Sequence, residues 1–539
     1  MNHIELFAGC GGLSLGLESV GFELLFANEI SPMASETFSY NFFNENLSEM
    51  SQLGHIPKHT HWLNSKYDQH ELEKRLRENP KEEPKPGKGF NDLQSKDAEL
   101  KKSIVVANIE DLNRFFSDKK NSKLLKSVKD GFGSGGIDLI SGGPPCQSFS
   151  LAGLRQHDNE RNQLPWEFAK FVKLMQPRVV MLENVSGILR AFNIKGKKYY
   201  AWFEVAKAFA SIGYVPICIH ANAKYTGAAQ NRPRFIMIAI KAKDFNKFRK
   251  NSPSEFDKPI LKNSYDFYTS LKKSEDAEYG SLNCYEIEKE QDNFSNSFLK
   301  PLVKYKKGQW RTVSDAIDDL RGDKDKKYPY IKGLKRSPYV EELNEILSIK
   351  NIDEDEDLNN DDPRSNGPHV RRRFRLYQVL NLVSVSTKRE VSKFLREPEE
   401  TVLSKTAIKE LLEHDYLSKN GEYVNFGSAS QLKKYLTTLE TKKQTQRALI
   451  KDQPAPAALS IPDDACHYDH DELRTLTVRE MARIQSFPDW FDFRSKVTTG
   501  GTSRRFEVPQ YTQVGNAVPP LFGMALGEMV KSILDTLDE

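Results

Sequence analysis

One cysteine stands where a nucleophile would be placed. Cys146 follows the run Gly142-Gly143-Pro144-Pro145, which comes directly after the apolar segment Ile137 to Ser141. That segment has the composition of a buried strand, so the sequence predicts that Cys146 lies on a turn at the sheet edge where ligands bind. Polar and glycine residues from Ser148 to Asn162 indicate a lid over this turn. A lone cysteine is more often an inert core residue, and only this context favours a reactive thiolate.

A carboxylate and two arginines accompany other predicted strands. Glu183 follows the apolar run Val179 to Leu182, and it lies beside Cys146 if the two strands are neighbours. Arg232 and Arg234 precede another apolar run, and their spacing of two lets both side chains face the same way. Taken singly, each of these charges is explained equally well as a solvated surface group.

Glycines at the end of the first predicted strand indicate a nucleotide site. The run Phe7 to Leu13 joins that strand to a helix, so its backbone can approach a ligand and the helix N-terminus offers free amides. Glu29 ends the second predicted strand, twenty positions beyond Gly9, where a carboxylate can accept hydrogen bonds from ribose hydroxyls. The pair predicts an adenosine-containing cofactor, and the alternative is a tight turn followed by a solvated glutamate.

Six segments, in this order, resemble motifs of the C5-cytosine-specific DNA methyltransferase family of the bacterial restriction-modification type. They are Phe7 to Leu13, Gly143 to Ser150, Glu183 to Val185, Gln230 to Arg234, Arg474 to Asp489, and Gln513 to Pro519. The resemblance implies an enzyme that transfers a methyl group from S-adenosyl-L-methionine to C5 of a cytosine flipped out of a specific duplex DNA sequence.

The resemblance also implies a role for each site residue. Cys146 would add to C6 as a thiolate, because C5 is a poor nucleophile until that addition turns the ring into an enamine. Glu183 would bind the N3 and amino edge, Arg234 would bind O2, and Arg232 would support the same site. Cofactor contacts would come from Phe7, Gly9, Cys10, Gly12, Glu29, Ile30, Asn108, Ile109, Leu164, Asn516 and Ala517, and DNA contacts from Gln147, Ser150, Arg155, Arg161, Arg371 and Arg373.

The chain departs from the family pattern at two cofactor positions. The family often has an aromatic residue at the position of Ile30 and an aspartate at the position of Asn108. Arg479 and Glu480, in the ninth motif, are better explained as residues that pack the second lobe against the first.

Alternating strands and helices predict an α/β fold, a Rossmann-like class I methyltransferase sheet with a second, smaller, mixed target-recognition lobe. We expect a catalytic and cofactor-binding domain over residues 1–240, with a polar surface insertion at about 44–102. Residues 241–470 would form the target-recognition domain. Residues 471–539 would return to the catalytic domain.

Composition excludes several classes of protein. Five cysteines without a C-x-x-C pair argue against a disulfide framework and a structural zinc site, so we expect no metal and a reducing cytoplasm. No apolar run approaches the ~20 residues of a membrane span, and the N-terminus lacks the layout of a signal peptide. The net charge of +4 is too small to decide about nucleic acid.

Two alternatives remain at this point. A transfer RNA cytosine-5 methyltransferase would share the fold, although its recognition lobe is usually short. A non-catalytic DNA-binding partner would have no need of a thiol and a carboxylate at one site. The expected partner is double-stranded DNA bound by a monomer, with a possible cognate restriction endonuclease that acts separately.

Overall fold

The computed structural model describes residues 1–94, 100–145, 163–194, 197–252, 254–274, 276–321, 336–349, 358–441, 446–457 and 465–539. In these ranges the strands are β1 (Asn2–Leu6), β2 (Glu23–Glu29), β3 (Thr60–Ser65), β4 (Phe90–Asn91), β5 (Ile104–Val106), β6 (Leu139–Gly142), β7 (Val179–Val185), β8 (Ala191–Ile194), β9 (Lys197–Tyr200), β10 (Tyr214–Asn222), β11 (Gln230–Asn231), β12 (Pro233–Lys241), β13 (Cys284–Glu286), β14 (Tyr416–Leu417), β15 (Tyr423–Val424), β16 (Arg447–Ala448), β17 (Ala455–Pro456) and β18 (Ala465–Cys466). The α-helices are α1 (Gly12–Ser19), α2 (Pro32–Phe43), α3 (Leu47–Leu53), α4 (Leu72–Arg75), α5 (Ile109–Ser117), α6 (Ser122–Lys129), α7 (Leu164–Met175), α8 (Ala201–Ser211), α9 (Ala242–Asn251), α10 (Asp257–Ser274), α11 (Gln291–Phe294), α12 (Val313–Ile317), α13 (Pro338–Ile346), α14 (Pro368–Val379), α15 (Val385–Phe394), α16 (Lys405–Leu412), α17 (Ala429–Thr437), α18 (Val478–Ile484), α19 (Gln510–Asn516) and α20 (Pro520–Asp538).

A sheet of ten strands, counted over the described ranges, carries the predicted site. Its order is β13-β10-β12-β7-β6-β1-β2-β5-β3-β4. The central strands β5, β2, β1, β6 and β7 are parallel, whereas β12 runs antiparallel to both of its neighbours, β7 and β10. Apolar side chains of β1, β6 and β7 share one core with those of α1, α7, α8 and α20. The predicted α/β fold with a Rossmann-like sheet is confirmed.

The sequence predicted a polar surface insertion at about 44–102, but part of this segment is buried in the main sheet. Strand β3 is buried along its whole length and extends the main sheet by pairing in parallel with β5. Behind it, the buried Arg75 guanidinium donates to both carboxylate oxygens of Asp92, at 2.8 and 2.9 Å, and lies over the Trp62 ring. Flanking lysines, glutamates and prolines conceal this short strand in the sequence.

The first core extends beyond the predicted boundary at residue 240. Phe248 of α9, Leu261 of α10, and Leu302 pack in the same core as Ile4. Strand β13 also joins the main sheet, where Cys284 pairs with Cys218 of β10. The predicted start of the second lobe is therefore too early, because amphipathic helices here were hidden among basic and aromatic patches.

A separate core marks the second lobe. Its buried apolar residues run from Phe374 of α14 to Leu473, and they come from helices α14 to α17 and short strands. This core is smaller than the first and is built from both helices and strands. It agrees with the predicted smaller, mixed lobe.

Apolar residues of α20, near the end of the sequence, pack in the first core. Helix α20 packs on α1 so closely that a Cβ at Gly16 would lie 2.4 Å from the Met524 amide nitrogen. In α19, the buried Gln513 amide donates to the carbonyls of Met33 and Arg494, each at 3.2 Å, and its Oε1 accepts from Thr37 at 2.6 Å. The two ends of the chain thus complete one domain.

Candidate active site

Strands β6 and β7 place a carboxylate beside the segment that leads to Cys146. Gly142 pairs with Leu182, so Gly143 and Glu183 follow at adjacent carboxyl ends of parallel strands. A Cβ at Gly143 would lie 3.0 Å from Glu183 Oε2. The strand neighbourhood that the sequence left conditional is confirmed.

Asn184 fixes the approach to this turn. Its buried amide nitrogen donates to the Pro144 carbonyl at 3.0 Å. The sequence analysis includes Asn184 only within a motif and assigns it no role. An amide that follows an apolar strand and a carboxylate does not indicate which carbonyl, forty positions away, it will bind.

Glu183 and Arg234 form a buried ion pair. Arg234 Nε lies 2.7 Å from Glu183 Oε1, with 10% and 12% of the two side chains exposed. The pair forms because β12 runs antiparallel beside β7, with Arg234 opposite Val185. Burial lowers the pKa of Arg234, and the Glu183 carboxylate opposes that shift. Two residues predicted to act together are therefore in contact.

Arg232 engages a different part of the chain. Its Nη2 donates to the carbonyls of Gly515 and Ala517, both at 2.9 Å. Burial lowers the pKa of Arg232, and the nearby charge of Arg234 lowers it further. Arg232 thus ties the arginine segment to the end of α19, while Arg234 faces Glu183.

The nucleophile and the predicted lid cannot be placed in the same way. Cys146, Gln147, Ser150, Arg155 and Arg161 lie outside the described residues. The described residues before this gap end at Pro145, directly after the turn that Asn184 holds. Those after it begin at Gln163, one residue before α7.

A glycine turn and a buried carboxylate meet at the end of β2. Gly9, with a φ of +57°, donates its amide to Glu29 Oε2 at 2.8 Å, and Ser31 donates to Oε1 at 2.8 Å. Burial raises the pKa of Glu29. The next side chain, Ile30, is apolar and 39% exposed. A buried acceptor beside an exposed apolar side chain at this sheet edge suits a ribose joined to an aromatic base.

The other predicted cofactor residues divide into those at this edge and those that pack behind it. Phe7 lies edge-on against Phe168, and Asn108 caps α5 by accepting the Glu110 amide at 3.1 Å. Cys10 is buried, and burial raises the pKa of its thiol to about 12. Ile109 is buried, and Gly12 lies against the Val518 carbonyl. Leu164, at the start of α7, and Ala517 are half-buried. Asn516 is exposed at the end of α19.

The arginine-rich helix α14 has two kinds of arginine. Arg372 and Arg375 are buried, with Arg372 donating to Thr438 Oγ1 at 2.9 Å and Arg375 paired with Asp415. Arg371 is exposed, and among the described residues no hydrogen-bond partner is seen for the buried Nε of Arg373. Of the four arginines in α14, the two predicted DNA contacts are thus the less buried pair.

The described ranges contain no group of three or more His, Cys, Asp and Glu side chains that could hold a metal ion. No single helix in these ranges has the length and apolar composition of a membrane span. One bent pair of helical segments, Gly501–Asn516 with Pro520–Asp538, is long and apolar enough, by length and composition only.

Comparison with known proteins gives a consistent family. The model of the family described as C-5 cytosine-specific DNA methylase matches residues 1–63 and 109–532. The chain is 24% identical over 546 residues to the type II methyltransferase M.DdeI of Desulfomicrobium norvegicum, covering 100% of this chain and 90% of that protein. It is also 24% identical over 534 residues to the type II methyltransferase M.XorII of Xanthomonas oryzae pv. oryzae, covering 98% and 84%. The chain therefore belongs to the C-5 cytosine-specific DNA methylase family and is a DNA cytosine-5 methyltransferase.

Proposed function

We propose that this enzyme transfers a methyl group from S-adenosyl-L-methionine to C5 of a flipped-out cytosine in a specific duplex DNA sequence, through a covalent bond between Cys146 and C6. The observation that carries the proposal is the buried pair of Glu183 and Arg234, which lies beside the turn Gly143 to Pro145. Cys146 is the next residue after that turn.

The pair has polar atoms left for a cytosine ring. Arg234 uses Nε on Glu183 and Nη1 on the Pro233 carbonyl, so Nη2 can donate to O2 of the base. Glu183 uses Oε1 on Arg234, while Oε2 is directed toward Gly143 and can bind the N3 and amino edge. A guanidinium and a carboxyl group in these positions hold the ring and stabilise charge that develops on it.

The covalent step accounts for the choice of a thiol. The Cys146 thiolate forms a bond to C6, and the ring electrons move toward C5 while Glu183 protonates or polarises N3. C5 then takes the methyl group, a base removes the C5 proton, and the C6–sulfur bond breaks to release the thiolate. The reaction returns the enzyme unchanged.

The other cysteines are unsuited to this role. Burial raises the thiol pKa of Cys10 and Cys284 to about 12 and also raises those of Cys218 and Cys466. All four are therefore protonated at neutral pH, and a protonated thiol is a weak nucleophile. Cys146, in turn, is the cysteine that directly follows the turn beside Glu183.

The residues at the end of β2 fit an S-adenosyl-L-methionine site. Glu29 would accept from the ribose hydroxyls, with its carboxylate already oriented by the Gly9 and Ser31 amides. Ile30 would contact the adenine ring, and the turn from Phe7 to Gly12 would leave room for the methionine portion. When bound, the cofactor supplies an electrophilic methyl group on a sulfonium.

The lobe built around the core from Phe374 to Leu473 would read the DNA sequence, with the exposed Arg371 and the half-buried Arg373 as contacts. The lid residues Gln147, Ser150, Arg155 and Arg161 would contact DNA near the flipped base. A monomer acting on duplex DNA, with a cognate endonuclease acting separately, completes the proposal.

Trapping with 5-fluorocytosine tests the covalent step, because fluorine at C5 prevents the final elimination. Plasmid bisulfite sequencing from expressing cells first gives the target sequence. Wild-type enzyme should then form a stable adduct with fluorinated duplex and methyl donor, whereas Cys146→Ser should form none and still bind DNA. Cys284→Ser, a half-buried cysteine outside the site, is the matched control. An adduct with Cys146→Ser would refute the nucleophile, and methyl transfer to transfer RNA but not to duplex DNA would refute the substrate.

A further inference from the structure

A cleft at the carboxyl ends of β2, β3 and β5 has one wall that the family match does not cover. Ile30, Val106 and Ala107 line one side of it, and Glu78, Asn79, Pro80 and Glu83 line the other. The latter four, like Val106 and Ala107, belong to residues 64–108, which fall between the two parts of the family match. The cleft therefore joins Ile30, at the end of the matched strand β2, to a segment that the family model leaves unmatched.

This added wall is fixed to the sheet. Asn64, a buried residue at the end of β3 with a φ of +61°, donates to the Pro84 carbonyl at 3.0 Å and to Asp111 Oδ2 at 3.1 Å. Its Oδ1 accepts from the Gly89 amide at 3.1 Å. Ser65 donates to Glu78 Oε2 at 2.8 Å. Hydrogen bonds to Asn64 and Ser65 of β3 thus hold this part of the chain at Glu78, Pro84 and Gly89, so it forms a fixed wall of the cleft.

Glu83 lies in this wall close to other acidic side chains. It is half-buried, and the Asn108 side chain interacts with its carboxylate. Burial, and the negative charges of Asp111, Glu78 and Glu110, raise its pKa to about 7. A carboxylate held in unfavourable surroundings beside a cleft gains from a ligand that donates a hydrogen bond to it.

Asn108 completes the pattern from the N-terminus of α5. Its Oδ1 accepts the Glu110 amide at 3.1 Å, and its side-chain nitrogen interacts with Glu83, which leaves the second hydrogen of that nitrogen to donate. An acceptor at Glu83 beside a donor at Asn108 matches the amino group and N1 of adenine. Glu29, one residue before Ile30, would hold the ribose, which places the base next to Ile30 and Pro80.

We propose that the segment Glu78 to Glu83 forms the outer wall of the adenine pocket and that Glu83 accepts a hydrogen bond from the adenine amino group. This proposal rests on the proposed use of S-adenosyl-L-methionine. Glu83 would thereby supply the carboxylate that this chain lacks at position 108, from a segment far away in sequence.

Calorimetric binding of two nucleosides tests the proposal without any turnover. S-adenosyl-L-homocysteine has the amino group, and S-inosyl-L-homocysteine has a carbonyl oxygen in its place. At pH 8, where Glu83 is ionised, wild-type enzyme should prefer the adenosyl ligand. Glu83→Ala should weaken adenosyl binding by about tenfold or more, since hydrogen bonds to charged groups are among the stronger ones, and should leave inosyl binding nearly unchanged. Glu83→Gln should lose less, because its amide oxygen still accepts.

Glu73→Ala is the matched control. Glu73 also lies within residues 64–108, but it is exposed and paired with Arg77. It should bind both ligands as wild type does. Thermal melting of each variant checks that the wall remains folded. Unchanged adenosyl affinity in Glu83→Ala, or equal loss for both ligands, would overturn the inference alone. Absence of adenosyl binding by the wild-type enzyme would overturn the proposed cofactor as well.

Discussion

Glycine at position 143 leaves the room that Glu183 needs. A Cβ there would lie 3.0 Å from Glu183 Oε2, closer than side-chain atoms normally approach. Glu183 cannot move away freely, because its other oxygen is paired with Arg234 at 2.7 Å. The carboxyl group is therefore held between a glycine and a guanidinium.

Gly143→Ala should lower the rate of methyl transfer far more than it lowers cofactor affinity. Displacement of a positioned group by about 1 Å can cost on the order of 100-fold in rate, and the added methyl displaces Glu183 by a smaller distance, so we expect about tenfold. Single-turnover rates and calorimetric binding of S-adenosyl-L-homocysteine measure the two effects. Gly500→Ala, at a position with open space around it, is the control. Equal loss of rate and affinity would show that the glycine serves the fold instead.

Individual residues were predictable where neighbouring strands bring them together. The pairing of Glu183 with Arg234 required only that β12 lie next to β7. Arg479 and Glu480, for which the sequence favoured a packing role, are completely buried. Asn184 and Gln513 could not be predicted, because amides bind backbone carbonyls whose positions depend on the whole fold.

In the first strand, a buried carboxyl group links stability to pH. Glu5 of β1 is 2% exposed and accepts a hydrogen bond from Ser14 of α1. Burial raises its pKa to about 8. Between the ordinary value of 4.5 and this value, the folded protein keeps a proton that the unfolded chain releases, so the free energy of unfolding falls as pH rises.

Glu5→Gln should remove this pH dependence, because glutamine has a similar shape and no charge to bury. Relative to wild type, the variant should gain stability from pH 5 to pH 8, by up to about 5 kcal/mol. Urea unfolding of both proteins across that range measures the difference. Burial also raises the pKa of Glu18 and Glu83, but both proteins contain these residues, so their contributions cancel in the difference. A constant difference at all pH values would contradict the assignment.

Strands and helices were predictable where their apolar pattern was long. β7, β12, α7 and α20 are of this kind, with buried residues along most of their length. β3 and β13 were missed because each is short and sits among charged residues, and only the neighbouring strand edge makes them strands. Pairing of this kind depends on distant segments, which local composition does not report.

At the level of the whole molecule, α14 carries both arginines that build the second lobe and the two arginines proposed to contact DNA. Arg372 donates to Thr438 and lies 4.7 Å from the centre of the Tyr435 ring, whereas Arg371 is exposed. Alternate arginines on one helix thus face the core of the second lobe and its surface.

The double variant Arg371→Ala, Arg373→Ala should weaken DNA binding and reduce its salt dependence by about one to two counterions, because each phosphate contact releases roughly one. Its melting temperature should stay near that of wild type. Arg372→Ala should instead destabilise the protein by about 2 kcal/mol, as expected for loss of a buried hydrogen-bonded side chain. Arg77→Ala, an exposed arginine of the first lobe, is the control for charge. Loss of stability in the double variant would place these two arginines in the lobe core.

The packing of α20 on α1 has a consequence for synthesis on the ribosome. Strand β1 and helix α1 are synthesised long before α20, the helix that covers them. Until α20 has left the ribosome the nascent chain exposes the apolar surface on which that helix packs, and we expect chaperones to bind it there. The enzyme would then first become able to act once α20 has been synthesised and has packed on α1.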